Sequence, residues 1–463
     1  MSGMYASLVP RVIFPLYEGL SGRRFWTEFL RLRALQWQTP EELEARALRN
    51  LRPLLAHAAG HVPYYRDLFM RVGVQPEDLR TLADLTYLPI TSKAELRRNH
   101  PDRTTADNLP VSRQWRTLTS GSTGFPFEFY TDAASGDGIV AGYLFFLDWS
   151  GAAIWNTRVD IGNARNLPIS SILPKSPRVV QLARRMLLGE RVVGLGGIDL
   201  SPDEFLARVG DISPTRGYFI RGYPSYVARL AARLLQEGTE LPAYPQVVIN
   251  SGEMLTAVHA NTIERAFRCR VVNQYSAWEV PHMAQTCPDN PGVFHVNSER
   301  VILRVVRDDG SPAGSDERGR ILITALANYV MPFINYDMGD SGINGGPCPC
   351  GRGFPTLMGL EGRLGEVIRT PGGRIISPVT LGTLLKFVVP YVWEYQAVQA
   401  ATDTVTHLVV PTSRFTPGIA TILQADLEKL LGAGMKVRIE PVDQIPPEPS
   451  GKRLVIRSHL GGT

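Results

Sequence analysis

Between Glu41 and Ala59 the apolar residues Leu43, Ala47, Leu51, Leu54 and Leu55 recur at three- and four-residue steps among charged neighbours. This is the pattern of an amphipathic helix, and Pro53 is expected to interrupt it. In LRTLADLTYLPITSKAELRRN, Thr91 or Ser92 can cap a short helix carrying Glu95. Short β-rich runs (VVIN, RVVNQY, RILITAL) then alternate with helical stretches (YPSYVARLAARLLQEG, LTAVHANTIERAF), which predicts α/β units with mainly parallel strands. After about Gly362 the texture changes: GRLGEVIRTPGGRIISP reads as a short hairpin, and TLGTLLKFVV and ATILQADLEKLLGAG as helices flanking strands. The fold class expected is α/β, with a large N-terminal domain of mixed sheets and helices over residues 1–362 and a small α+β C-terminal domain over 363–463. A chain of 463 residues exceeds what one hydrophobic core usually organises, which agrees with two domains.

Composition narrows the function classes. A hydrophobic fraction of 44% with 20% charged residues is ordinary for a folded protein. The net charge is +5, but the basic residues, six lysines and otherwise arginines, are spread without a long block, so no nucleic-acid partner is expected. Anionic small ligands remain compatible with this charge. The start, MSGMYASLVPRVIFPLY, is apolar but carries Pro10, Arg11 and Pro15, lacks a basic leader and is too short for a transmembrane segment. It reads as a docked N-terminal segment, with contact to a membrane surface as the alternative, and a cytoplasmic location follows. Four cysteines are no disulfide framework, and Cys348-Pro-Cys350 suits metal or redox chemistry better.

Several motifs offer chemistry, each beside a plainer reading. In TLTSGSTGFPFEF, Thr117 to Phe129, glycines and hydroxyls allow backbone and side-chain donors to converge on phosphate oxygens; otherwise the run is a hairpin turn. It lacks the GxxxxGK[ST] pattern of P-loop nucleotidases. INSGEML ends a strand on Gly252, which exposes backbone to an adenine ring or makes a simple β-to-α turn with Glu253 near a helix start. In FINYDMGD, Asp340 after a glycine turn can accept two hydrogen bonds from a ribose diol, or is a common turn aspartate. Cys348 and Cys350 form a knuckle that cannot close a tetrahedral site alone, and Cys287 with His295 in TCPDNPGVFHV supplies matching ligands for a structural zinc ion. The alternative is reduced, unligated thiols, with Cys269 left as a core residue.

TSGSTGFP resembles the phosphate loop of adenylate-forming enzymes, and HVPYYRDLF and LPITSKAEL resemble the N-terminal motifs of phenylacetate-CoA ligases and their CapK-like relatives. The likeness runs from about residue 50 to the C terminus. It implies that Thr119, Ser120, Gly121, Ser122, Thr123 and Gly124 hold the β- and γ-phosphates of ATP, although Phe127 stands where many relatives carry a lysine. It also implies that Ser251, Gly252 and Glu253 border adenine. NQYSAWEV is similar to the YGxTE-type motif, so Tyr275 would pack beside the adenine and Glu279 would bind Mg²⁺, with Ser276 and Trp278 as departures. Asp340 would hold the ribose, and Arg363 would reach ribose or phosphate. The loop with Gly372 and Gly373 would swing in for a second half-reaction, making the C-terminal domain mobile, although Gly365 replaces the usual hinge acid. Lys452 in IPPEPSGKRLVIR, locally a plain turn lysine, takes the position of the adenylation lysine.

The implied activity is an AMP-forming carboxylate ligase that passes an acyl- or aryl-adenylate to coenzyme A. An amine or hydroxyl acceptor is the rival within enzymes, and a non-catalytic nucleotide-binding homologue the rival outside them. Aromatic acids are suggested, with Tyr130, Tyr223 and Trp278 as candidate lining, and a homodimer is compatible with the likeness.

Overall fold

The computed structural model describes residues 8–110, 114–118, 127–162, 191–195, 200–212, 217–361, 367–376, 381, 391–446 and 454–460. The chain divides into two units. The first comprises Met1–Trp155, Asn166–Glu190 and Gln274–Leu360, and the second Asn156–Arg165, Arg191–Asn273 and Glu361–Thr463.

In the first unit a π-helical turn over Val9–Ile13 runs into helix α1 (Phe14–Ser21), which Gly22 ends at φ +68. Phe14 packs on Phe25 and Trp26 at the start of α2 (Phe25–Leu35). Helix α3 (Pro40–His61) begins with a capping box: Thr39 Oγ1 accepts from Glu42 N at 3.3 Å and Glu42 Oε2 accepts from Thr39 N at 3.0 Å. Its predicted stripe, Leu43 through Leu55, is buried, but Pro53 does not interrupt the helix. The proline lies on the exposed side. Water there can satisfy the carbonyl that it leaves unbonded, and the buried stripe offsets the roughly 3 kcal/mol that an internal proline costs.

After α4 (Pro63–Val72), helix α5 (Lys93–Asn99) is capped by Ser92, whose Oγ accepts from Glu95 N at 3.1 Å. Strands β1 (Trp115–Leu118) and β2 (Glu128–Thr131) pair antiparallel, so the flanks of the hydroxyl-rich segment form hairpin arms. Helix α6 (Ala133–Trp149) follows, capped by Asp132.

The chain then builds the second unit with β3 (Thr157–Ile161), β4 (Arg191–Leu195), α7 (Pro202–Gly210), β5 (Tyr218–Gly222), α8 (Pro224–Gln236), β6 (Val247–Ser251), α9 (Ala257–Phe267) and β7 (Arg270–Tyr275). The strand order is β7-β6-β5-β3-β4, with β3 parallel to β4 and β5, and β5 parallel to β6. Val159, Ile220 and Val248 from the strands meet Val227, Ala231 and Phe267 from the helices in one core. Cys269 packs partly buried against it, as a core residue should.

Gln274 and Tyr275, the end of β7, belong to the first unit. Beside them lie β8 (Ala284–Thr286), β9 (Val293–Val296), β10 (Val301–Val306), β11 (Arg318–Ala325), β12 (Tyr336–Asn344) and β13 (Thr356–Glu361), ordered β10-β11-β12-β13-β9-β8. Here β10–β11, β11–β12, β13–β9 and β8–β9 are antiparallel. The expectation of mainly parallel strands therefore holds in the second unit, and RILITAL (β11) departs from it. The connections on either side of β11, 307–317 and 326–335, turn the chain back on itself, whereas a parallel crossover needs a dozen or more residues.

The predicted hairpin appears as β14 (Ile368–Arg369) and β15 (Ile375–Ile376). In the rest of the second unit, β16 (Val392–Ala401), β17 (Thr404–Pro411), α10 (Pro417–Leu431), β18 (Lys436–Pro441) and β19 (Ile456–Ser458) form a sheet of order β18-β17-β16-β19 with one helix. Leu423, Leu427 and Leu431 of α10 pack on Val405, Val409 and Ile456. The helix expected in TLGTLLKFVV lies, apart from Leu381, outside the described residues. Among the described residues no helix is long and apolar enough to cross a membrane.

Candidate nucleotide site and metal centre

Tyr275 and Asp340 meet across the first unit: Tyr275 Oη donates to Asp340 Oδ2 at 2.7 Å. Burial and then the charge of Asp340, with Glu279 adding to it, push the tyrosine hydroxyl well above its ordinary range, so the phenol stays a donor. Gly339, at φ +72, makes the turn before Asp340, and its N–H donates to Asp337 Oδ1 at 2.8 Å.

Glu279 lies in the loop between β7 and β8, which is closed by Met283 N to Tyr275 O (3.1 Å) and His282 N to Ser276 Oγ (3.1 Å). Its Oε1 is 3.4 Å from Lys93 Nζ and accepts from Tyr336 Oη at 3.3 Å. Its Oε2 has no hydrogen-bond partner among the described residues.

Sequence reasoning missed Lys93 and Tyr336 as partners of Glu279, although each sits in a motif it had marked. Thr91 pairs with this strand instead of capping a helix: its N–H donates to Asn335 O at 3.0 Å and its O accepts from Asp337 N at 2.9 Å. Asn335 Nδ2 donates to Leu85 O and Leu88 O, each at 2.8 Å. Tyr65, from HVPYYRDLF, donates to Pro332 O at 2.9 Å and accepts from Ile334 N at 3.1 Å. Both N-terminal motifs therefore end on the segment that carries Asp340.

In the second unit Ser251 ends β6 and Gly252 adopts φ +85. A Cβ on Gly252 would stand 2.8 Å from Tyr223 Cε1, so the ring and the backbone approach as closely as glycine alone permits. Glu253 Oε2 accepts from Ser225 N at 3.2 Å and Ser225 Oγ at 2.7 Å at the start of α8. Of the candidate lining aromatics, Tyr130 donates to Glu128 Oε1 at 2.9 Å, and Trp278 packs against the core of the first unit. Thr119, Ser120, Gly121, Ser122, Thr123, Gly124, Arg363 and Lys452 lie outside the described residues.

Cys287, His295, Cys348 and Cys350 stand together, with one donor atom from each lying within 4.8 Å of all the others. Cys348 Sγ is 3.8 Å from Cys287 Sγ, and Cys350 Sγ is 3.3 Å from His295 Nε2. Around tetrahedral zinc, two sulfurs stand about 3.8 Å apart and a sulfur and nitrogen about 3.5 Å, so this donor set fits the ion. His295 Nδ1 faces Phe354 O at 3.3 Å, which turns Nε2 toward the thiols. Burial keeps the imidazole neutral and pushes the Cys287 thiol up, whereas at Cys350 burial is outweighed by hydrogen bonds from Arg352 and the neighbouring thiols, which hold that thiol below its ordinary range. The knuckle is held from behind by Arg352, which donates to Asp289 Oδ2 at 2.7 Å and lies over the rings of Trp37 (5.0 Å) and Trp149 (4.8 Å).

Residues 368–459 match the CapK C-terminal domain. The chain is 24% identical to protein CapK of Staphylococcus aureus over 398 residues, which covers 84% of this chain and 83% of that one. It is 27% identical to the phenylacetate-coenzyme A ligase of Escherichia coli (strain K12) over 330 residues, covering 66% of this chain and 68% of the relative. Among solved structures, 2-hydroxyisobutyryl-CoA ligase in the postadenylation state superposes with a TM-score of 0.73 at 19% identity, over 92% of this chain and 91% of that one. The chain is thus a homologue of CapK and the phenylacetate-CoA ligases, with a CapK C-terminal domain and the fold of the adenylate-forming CoA ligases.

Proposed function

We propose that this chain is an AMP-forming, ATP-dependent carboxylate ligase that passes an acyl or aryl group to coenzyme A. The observation that carries this reading is the joint placement of buried Tyr275 and Glu279 with partly exposed Asp340 and Lys93 in one cluster drawn from three separate motifs. Asp340, held by the hydrogen bond from Tyr275, carries the carboxylate that a ribose diol needs as acceptor. Glu279 Oε2 is a single hard oxygen suited to Mg²⁺, which would neutralise phosphate charge. Ser251, Gly252 and Glu253 would border the adenine, with the Tyr223 ring fixing the shape of that turn.

In the first half-reaction a carboxylate oxygen bonds to the α-phosphorus and the bond to pyrophosphate breaks. In the second, a thiolate bonds to the acyl carbon and AMP leaves with the electron pair of the broken C–O bond. The chain's work is alignment and charge stabilisation. By motif likeness, Thr119 to Gly124 cradle the phosphates, Arg363 reaches ribose or phosphate, Lys452 meets the developing charge, and residues 363–463 act as a lid domain. We also assign one structural zinc ion to Cys287, His295, Cys348 and Cys350, where four protein ligands leave no position for substrate. Demand for ATP and coenzyme A suits a cytoplasmic enzyme.

ATP–pyrophosphate exchange across a panel of aliphatic and aromatic carboxylates is the test. Exchange with at least one acid, lost in Lys452→Ala, is expected. A folded protein that binds ATP but supports no exchange with any acid would make it a non-catalytic homologue. With an active acid in hand, coenzyme A, amines and alcohols compared as acceptors separate a thioester from an amide or ester product.

A further inference from the structure

The N-terminal helix exposes a continuous apolar face that the chemistry above does not use. Leu8 is 45% exposed, Val12 50%, Leu16 60% and Leu20 81%, at successive four-residue steps. This is no frayed end: Val9 and Phe14 are fully buried, and Phe14, on the side opposite the stripe, packs against Phe25 and Trp26. The helix is fixed to the protein by one face and presents the other outward.

Charge around the stripe is one-sided. Glu18 is the one acid of the helix, and its carboxylate is turned onto the start of α2, accepting from Trp26 N at 2.6 Å, Thr27 N at 3.2 Å and Thr27 Oγ1 at 2.6 Å. Arg11 within the helix and Arg24 just beyond it are exposed, and although Arg24 N donates to Asp137 Oδ2 at 3.0 Å, neither guanidinium forms an ion pair among the described residues. Exposed leucines flanked by arginines, with the acid withdrawn, complement an anionic lipid surface.

A second copy of the chain is the poorer occupant. Residues 8–21 as a helix are about 20 Å long and present a stripe about 10 Å wide, roughly 200 Å² per copy. Two such faces bury about 400 Å², well below the roughly 1,200 Å² at which stable interfaces begin. We infer that this helix lies in the surface of a membrane containing anionic lipid. Val12, Leu16 and Leu20 enter the acyl boundary, while Arg11 and Arg24 meet lipid phosphates.

Flotation of the full-length protein with vesicles of phosphatidylcholine alone, or mixed with phosphatidylglycerol, tests this directly. Binding to the mixed vesicles, about tenfold or more above the neutral ones and weakened by salt, is expected. Leu16→Asp with Leu20→Asp should lower binding by at least about tenfold, since each leucine leaves the apolar phase. Arg11→Glu with Arg24→Glu should remove the preference for anionic lipid. Both pairs are surface changes, and an unchanged melting temperature confirms the fold. Absence of flotation with anionic vesicles, or full binding by the leucine variant, overturns the inference. Light scattering that shows a dimer dissociated by the leucine variant, without vesicle binding, assigns the face to a second copy instead. None of these readouts depends on ligase activity.

Discussion

Lys93 Nζ stands 3.4 Å from Glu279 Oε1, although 186 positions separate the two residues in the chain. The same ammonium lies 5.3 Å from the centroid of the ring of Phe127, which by motif likeness alone stands where many adenylate-forming enzymes carry a lysine. A cation from the LPITSKAEL motif thus stands beside the position where the hydroxyl-rich loop lacks one.

Lys93→Ala should therefore lower kcat/KM for ATP in pyrophosphate exchange by about tenfold to a hundredfold, within the range of one lost electrostatic contact to developing charge. Lys93→Arg should retain part of the activity. Exchange at the wild-type rate in a folded Lys93→Ala protein would confine the lysine to pairing with Glu279.

Asp340→Ala removes the acceptor proposed for the ribose hydroxyls and leaves Tyr275 without its partner. ATP affinity measured by calorimetry should fall by about 2–3 kcal/mol, the scale of charged hydrogen bonds. Tyr275→Phe, which spares the carboxylate, should cost less, and an unchanged nucleotide Kd in Asp340→Ala would remove the residue from the site.

Gly252→Ala places a methyl 2.8 Å from Tyr223 Cε1 at φ +85. A loss of about 1–3 kcal/mol in stability is expected from the strained backbone alone. Thermal unfolding reads this, and Tyr223→Ala in the same background should relieve the steric part but not the conformational part.

Elemental analysis of protein purified without added metal should give one zinc per chain, and Cys350→Ser should lower it together with the melting temperature. The surviving folded enzyme should keep its exchange activity, because four protein ligands leave the ion closed to substrate. Metal-free protein of undiminished stability would return these residues to plain thiols and a core histidine.

His407 in β17 is fully buried beside the Tyr395 hydroxyl, and burial holds its imidazole down to about 3. The unfolded chain takes up this proton near pH 6.5, before the folded one does. Its contribution to stability is therefore present above about pH 6.5 and lost as pH falls toward 3, at up to about 1.4 kcal/mol per pH unit. Melting temperatures across that window should fall less steeply in His407→Gln than in the wild type.

What the sequence determined by itself was local: the buried stripe of α3, the capping of α5, the hairpin arms around the hydroxyl-rich segment, and the helix Pro417–Leu431. Each depends on periodicity or on side chains within a turn of the backbone they serve, so the information lies within a few residues. The pairing of Cys348 and Cys350 with Cys287 and His295 was also legible, because a two-residue knuckle requires outside ligands of matching chemistry. Tertiary structure alone decided the rest. It made β11 antiparallel, kept α3 continuous through Pro53, gave Thr91 to the strand of Tyr336 while Ser92 took the cap, and brought Lys93 to Glu279. Those outcomes depend on which surfaces are buried against one another across long stretches of chain, and a periodic pattern records that a face is buried without recording what covers it.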